Sequence, residues 1–274
     1  LTKFICEARF LKELLESTRC EGITAEGDKN FLANECVIRC FQGGVLETQL
    51  LCNAHNLYIH IVLKNVKVIE EGEIAIKKIK RKSDDEEVGL LDIITEFAPK
   101  EEIYIFCDGN KIDITNNKGS DWTASTVKPE QIEQNKDSYV VKMAEKYPVH
   151  PGFEYKNSAV IENNGLQKLA KIAKKLGKPV SDIVVKVQLD KNGLYATTGT
   201  SITNRSKITE KVNLESDEKV VRGTYRRGVG FIFPTIGKSI VYFGEGPKGT
   251  HMWIREVKDY ITKDYHIPNS IKKK

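Results

Sequence analysis

Five lysines, Lys168, Lys171, Lys174, Lys175 and Lys178, recur at three- and four-residue spacings in a fifteen-residue stretch, 164–178, that holds no carboxylate. At about 100° per residue they fall on one side of a helix, while Leu166, Leu169, Ala173 and Leu176 fall on another. The apolar stripe can dock on a core and leave a wholly cationic face. A solvated helix mixes both signs at i and i+4. Unmixed lysines favour contact with phosphate, the chemistry of a polyanion-binding surface.

Other side chains of the right type for chemistry are less well placed for it. Cys36, Cys40, Cys52, His55 and His60 form a loose set of zinc-ligand types, with two cysteines four apart and two histidines five apart. The spacing is wider than that of compact zinc sites. In the strand-like run Glu35 to Phe41, Cys36, Ile38 and Cys40 share one face by the period of two, as small core residues do. Ile232 to Ser239 ends in Gly237-Lys238-Ser239 like a phosphate-binding loop, but Ile stands where the opening glycine belongs and a β-rich run follows where a helix is needed. His55 and His60, with Asp108 and Asp113 as the nearest candidate carboxylates, read as turn and core groups. No nucleophile elbow, metalloprotease helix or kinase set occurs. A non-enzymatic protein without cofactor or metal is expected.

The elements that position these residues come in a repeated order. Phe4 to Phe10 reads as a strand and Leu11 to Thr18 as a short helix. Glu35 to Phe41, Leu46 to Cys52 and Leu57 to Leu63 read as consecutive strands around the Gly43-Gly44 and Asn53-Ala54 turns. Leu90, Leu91, Ile94 and Phe97 have helical spacing that stops before Pro99. Ile103 to Cys107 and Lys111 to Thr115 form a hairpin across Asp108-Gly109-Asn110. The second half repeats this plan: strand Tyr155 to Glu162, the lysine helix capped by Asn164, hairpin Ile183 to Leu189 with Leu194 to Thr200, strand Ile208 to Asn213, then strands Ser239 to Phe243 and His251 to Val257. Gly223, Gly228, Gly230 and Pro234 interrupt Glu215 to Gly237, so a fourth helix there is expected to be short, irregular or displaced.

These signals give an α+β class: two tandem similar domains, each an antiparallel sheet with two helices. The expected boundaries are 1–147 for the first domain, 148–152 for a connector, 153–262 for the second domain and 263–274 for a C-terminal tail. Open sheets leave strand edges that must be hidden or used. Edges paired between copies head to tail close into a ring if the rotation allows.

Composition bounds the reading loosely. The 274 residues carry 43 Lys+Arg and 38 Asp+Glu, a net charge of +5, with 40% hydrophobic content. That charge alone does not announce a nucleic-acid protein, so its distribution carries the argument. No window approaches the run of about 18 apolar residues that spans a bilayer, and Leu1 to Phe10 carries charges where a signal peptide needs an apolar core. Six cysteines, all in the first half of the sequence, do not look like a disulfide framework. A soluble intracellular protein is expected, in the cytoplasm or nucleoid, or in the host cytoplasm for a viral chain.

The pattern resembles the DNA sliding clamps, the family of proliferating cell nuclear antigen and of the clamps of large tailed phages. Leu46-Glu-Thr-Gln-Leu-Leu-Cys-Asn-Ala-His55 before an aliphatic strand resembles the first clamp domain. Asp108-Gly-Asn-Lys-Ile-Asp-Ile114 with Trp122 downstream resembles the phage branch. Ser158-Ala-Val160, Gly165-Leu-Gln-Lys-Leu169 and the hairpin Ile183 to Thr198 resemble the start of the second domain. The resemblance implies a homotrimeric ring, a replication processivity factor of viral or archaeal type, with helices lining a hole that holds double-stranded DNA without sequence readout. Its partners would be a DNA polymerase and an ATP-dependent clamp loader, with no membrane. The alternative is a clamp-like monomeric DNA-binding subunit or transcription cofactor that holds duplex on one cationic face.

Site residues follow from the same resemblance. The DNA face would comprise Lys12, Lys168, Lys171, Lys174, Lys175, Lys178, Arg222, Arg226 and Arg227, with Lys77, Lys78, Lys80 and Arg81 in a segment neutralised by Asp84 to Glu87. A client-protein pocket between the domains would be lined by Leu50, His55, Val149, Pro151, Met252 and Trp253. The subunit interface would use Tyr139 and Val141 within Ser138 to Met143, and Ile202 and Asn204 within Gly199 to Ile208.

Overall fold

The computed structural model describes residues 1–18, 20–23, 29–33, 36–52, 57–76, 89–132, 154–162, 165–166, 184–198, 205–226, 237–246 and 249–269. β1 (Thr2–Glu7) runs directly into α1 (Ala8–Thr18), followed by a small hairpin of β2 (Cys20–Ile23) and β3 (Lys29–Ala33). Next come β4 (Cys36–Phe41), β5 (Val45–Cys52), β6 (Leu57–Leu63), β7 (Lys67–Glu70), β8 (Gly72–Ile76), α2 (Leu90–Thr95), β9 (Glu102–Cys107), β10 (Lys111–Asn116) and β11 (Asp121–Ser125). The second half supplies β12 (Glu154–Ile161), β13 (Val184–Asp190), β14 (Gly193–Thr198), β15 (Arg205–Thr209), β16 (Val212–Asn213), β17 (Val221–Arg226), β18 (Ser239–Gly246), β19 (Gly249–Val257) and β20 (Ile261–Ile267).

Local chemistry explains the elements the sequence announces. In β9, Ile103, Ile105 and Cys107 face the core while Tyr104 and Phe106 stay half-buried, the alternation of a one-sided strand. The β9–β10 turn is fixed by Asp108, whose Oδ1 accepts from the backbone N–H groups of Asn110 at 2.8 Å and Lys111 at 3.0 Å, with Gly109 at φ 96°. Asp92 accepts from Gly89 N–H at 3.0 Å and so closes the start of α2.

Several boundaries move. The helix expected from Leu11 begins at Ala8, because the buried series Ala8, Leu11, Leu14, Leu15 and Thr18 is helical from its first member. Its first N–H groups find Glu101 and Pro99 carbonyls at 2.8 and 2.9 Å. The strand expected over Ile208 to Asn213 is two strands, β15 and β16. The basic segment expected to hold an irregular helix is strand as far as Arg226, since Val221 and Tyr225 bury one face against β13. The tail expected from 263 is corrected too: 263–267 belong to β20, which is buried along its whole length.

The two halves repeat one topology strand for strand. The first half pairs β11-β10-β9-β1-β7 in one sheet and β6-β5-β4-β8 in another; the second half pairs β20-β19-β18-β12-β16 and β15-β14-β13-β17. β20 then pairs antiparallel with β6 and fuses five strands of the second half to four of the first in a nine-stranded sheet. The β2–β3 hairpin has no counterpart among the described residues of the second half.

One face of the fused sheet lies on the main apolar core with α1 and α2. Across it runs the paired series Ala159, Val241, Ile254, Tyr265, Ile59 and Leu50, all buried. Tyr265 donates its hydroxyl to Ser17 O at the end of α1, 3.1 Å away. Behind it lies a charged cluster: Lys263 and Glu256, each 1% exposed, meet Glu13 of α1 and Lys258. Lys263 Nζ is 2.7 Å from Glu13 and 3.4 Å from Glu256, and Tyr260 donates its hydroxyl to Glu13. Buried charges cost more than they return unless paired; here Glu256 is paired within its own half, and Lys258 and Lys263 reach Glu13 across the joint between the halves.

Candidate functional site

The opposite face of the nine-stranded sheet carries a connected group of polar and aromatic side chains. Register places them in two parallel series. Tyr242, Trp253, His266 and Tyr58 pair in succession on β18, β19, β20 and β6. Their rings touch: Tyr242 stacks on Trp253 at 4.3 Å, Trp253 on His266 at 5.8 Å, and His266 meets Tyr58 at 5.9 Å, with Tyr155 edge-on to Trp253 at 5.7 Å. Cross-strand aromatic contacts of this kind stabilise a sheet locally.

Beside them Arg255, Asp264, His60 and Gln49 pair on β19, β20, β6 and β5. Arg255 lies 3.7 Å from Asp264, His60 Nε2 lies 3.0 Å from Glu47 Oε1, and Gln49 donates to the same oxygen. Arg39 and Glu73, 2.8 Å apart, extend the charged band to β4 and β8. The hydrogen bond from His60 holds the Glu47 carboxyl below its usual range against the opposing effect of burial. Burial raises that of Asp264, with Arg255 and the Trp253 N–H opposing. Burial, with His251, His60 and Arg255 nearby, pushes His266 down to about 3. Both series cross the β20–β6 seam, so the surface exists only when the two halves are joined.

The expected client pocket is thereby revised. Trp253 stands on this outer face, but Leu50 and Met252 point the other way into the core, because adjacent strand residues face opposite sides. His55, Val149 and Pro151 lie outside the described residues. Tyr242, His266, Tyr58, Asp264 and Arg255 join this face although the sequence pattern does not single them out. The available signal was an aromatic or histidine at matching parity on successive strands, which becomes visible only once register is known.

Of the expected cationic face, Lys12 lies on α1 with its ammonium 3.9 Å from Glu16, Arg222 is exposed on β17 and Arg226 ends that strand. Gly165 and Leu166 are helical, with Leu166 buried as its apolar stripe requires. Lys168, Lys171, Lys174, Lys175, Lys178 and Arg227 lie outside the described residues, as do Lys77, Lys78, Lys80 and Arg81. So do the expected interface residues Tyr139, Val141, Ile202 and Asn204.

Among the described residues, the members of the metal and catalytic sets do not converge. Cys36 and Cys40 are buried in the core, whereas His60 lies on the opposite face of the same sheet. Asp113 is held by Lys111 at 2.9 Å and Thr123 at 2.7 Å in a different sheet from His60. Among the described residues no group of three His, Cys, Asp or Glu side chains could hold a metal ion, and no helix is long and apolar enough to cross a membrane. Lys238 precedes a strand and pairs with Glu162 at 3.2 Å.

No protein-family model matches the sequence, and no curated protein sequence does. Solved structures share the fold at low identity. A. fulgidus PCNA bound to the C-terminal region of FEN-1 is 13% identical, with a TM-score of 0.62 over 100% of both chains. A PCNA2–PCNA3 complex from Sulfolobus tokodaii is 10% identical, with a TM-score of 0.65 over 97% of this chain and 98% of the other. Proliferating cellular nuclear antigen from Entamoeba histolytica is 11% identical, with a TM-score of 0.66 over 98% and 99%. With two repeated halves, antiparallel sheets and full-length superposition, the fold of this chain is that of the DNA sliding clamps.

Proposed function

We propose that this chain is a sliding clamp: three copies join head to tail in a ring around duplex DNA and tether a DNA polymerase without reading sequence. The observation that carries this reading is the β20–β6 seam. The chain already joins the five-stranded sheet of one half to the four-stranded sheet of the other. Apart from the β2–β3 hairpin, two further sheets remain among the described residues; β11 ends one and β15 the other, and they are the counterparts of β20 and β6. Repeating the same joint between copies is a heterologous contact that closes when the rotation allows. The lysines at 168, 171, 174, 175 and 178 supply cations for phosphate contact independent of sequence. Polymerase and other clients dock on the outer face beside the buried Trp253, where Tyr242, Arg255 and His60 are partly exposed, and an ATP-dependent loader opens the ring.

Topology is the test. The protein is threaded onto a linear duplex, both ends are blocked with bulky protein caps, and retention at raised salt is measured before and after one cap is cleaved off. A clamp stays while both ends are blocked and is lost when one is freed. Equal residence on open and blocked DNA would leave a monomeric duplex-binding subunit as the better reading.

A further inference from the structure

Resting on the ring reading above, we propose that the joint between copies is closed by Trp122 as an apolar plug and lacks the ionic lock of the joint within each chain. The repeated registers allow position-by-position comparison. Phe4, Ile105, Ile114 and Trp122 pair in succession toward the edge of the first half's sheet, as Ala159, Val241, Ile254 and Tyr265 do in the second. Trp122 therefore occupies the place of Tyr265. Tyr265 is 0% exposed because Ile59 of β6 lies beside it, whereas Trp122, at the end of an equally buried series, is 42% exposed.

The strand that corresponds to β6 can receive an indole. On β15, Ser206 and Ile208 take the core-facing side, since Ser206 pairs with buried Ala196 and Ile208 packs on the core cluster. Arg205 and Lys207 take the other side, where both lie over the Tyr195 ring. A small residue beside an aliphatic one on an exposed edge suits a large aromatic from a second copy.

The buried Glu256–Lys263 pair is missing from the corresponding hairpin, where Lys118, at the place of Lys258, pairs instead with Glu101 of its own half at 3.3 Å. Counted along the same registers, Glu256 and Lys263 correspond to Asn116 and Ser120. Asn116 is used locally: its Oδ1 accepts from Lys118 and Ser120 N–H, and its Nδ2 donates to Glu101. The outer face differs as well, with Phe106, Asp113 and Thr123 where the inner seam has Tyr242, Trp253 and His266. The joint within the chain is thus permanent, and the joint between copies is the one that opens, with a single aromatic side chain dominating its strength.

The chain contains two tryptophans, one buried at 253 and one exposed at 122, so assembly has its own optical signal. Light scattering and tryptophan emission are recorded together over a dilution series of the full chain. Emission should shift to the red as the ring dissociates. Trp122→Ala should weaken assembly at least about thirtyfold, the scale of losing a dominant anchor, with the monomer's melting temperature unchanged. Ser206→Glu should do the same from the other side. Because the contact is head to tail, mixing the two variants should restore one joint and give a dimer but no ring. Trp122→Ala rings that persist at the parental dilution would overturn the inference while leaving the clamp reading intact. A parent that stays monomeric at every concentration would overturn the ring reading and this inference with it.

Discussion

Trp253 on β19 donates its indole N–H to Asp264 Oδ1 on β20 at 2.8 Å, with both groups buried. That bond, with Arg255 3.7 Å away, keeps a carboxyl on a strand buried along its length, and it fixes the ring on which Tyr242 and His266 stack. Asp264→Ala leaves the indole N–H buried without its acceptor and should destabilise the fold by about 1–3 kcal/mol. Asp264→Asn, which keeps an acceptor oxygen, should lose less. Urea midpoints with unchanged slopes would measure this. Equal stability of parent and Asp264→Ala would show that the bond contributes nothing.

His266 should set the first acid limb of stability. Burial holds it at about 3 in the folded chain, against an ordinary value of 6.5. Below about 6.5 the unfolded chain takes up a proton that the folded chain refuses, so this contribution is full above that pH and declines as pH falls toward 3. His266→Phe keeps a ring beside Trp253 and should flatten the decline. Melting temperatures from pH 8 to pH 4 provide the check, and parallel profiles for parent and variant would contradict it.

Glu13 governs a lower window. Burial raises its carboxyl, but hydrogen bonds from Lys258, Lys263 and Tyr260 outweigh that and hold it at about 2, below the ordinary 4.5. Its stabilisation is present above 4.5 and disappears between 4.5 and 2. Glu13→Gln should remove the slope in that interval without altering the decline that begins near 6.5.

The buried pair behind it offers a double-mutant test. Lys263→Met leaves Glu256 buried beside fewer cations and should cost about 3–5 kcal/mol, and adding Glu256→Leu should recover most of the loss. Strictly additive losses would mean that the two charges do not act as a pair.

Charge reversal at Lys171 and Lys175 together should weaken binding equally on unrelated duplex sequences and reduce the slope of affinity against salt. Folding should survive, because neither lysine belongs to the apolar stripe. Fluorescence anisotropy across a salt series is the measurement, and parental affinity with a parental slope would remove this lysine-rich segment from the DNA face.

Strands β4, β5, β6, β9, β10 and β13 were legible in the sequence because their apolar residues alternate or run between clear turn residues. The repeated order of elements was legible for the same reason, and with it the α+β class. β20 was not: Ile-Thr-Lys-Asp-Tyr-His-Ile reads as a polar tail, and only the opposite charges of Glu13, Glu256 and Arg255 allow Lys263 and Asp264 to be buried. Nor could the sequence assign Leu50 and Met252 to the core and Trp253 to the outer face. A period of two states that neighbours face opposite sides, and a one-residue change of register exchanges them. In β19 both Met252 and Trp253 are apolar, so the pattern itself offered no choice. The sequence by itself determined the local pieces and the concentration of lysine in one segment. The tertiary structure alone decided which edges meet, that Tyr265 is buried while its counterpart Trp122 is exposed, and where the aromatic series crosses the seam, because each depends on contacts between strands about two hundred residues apart.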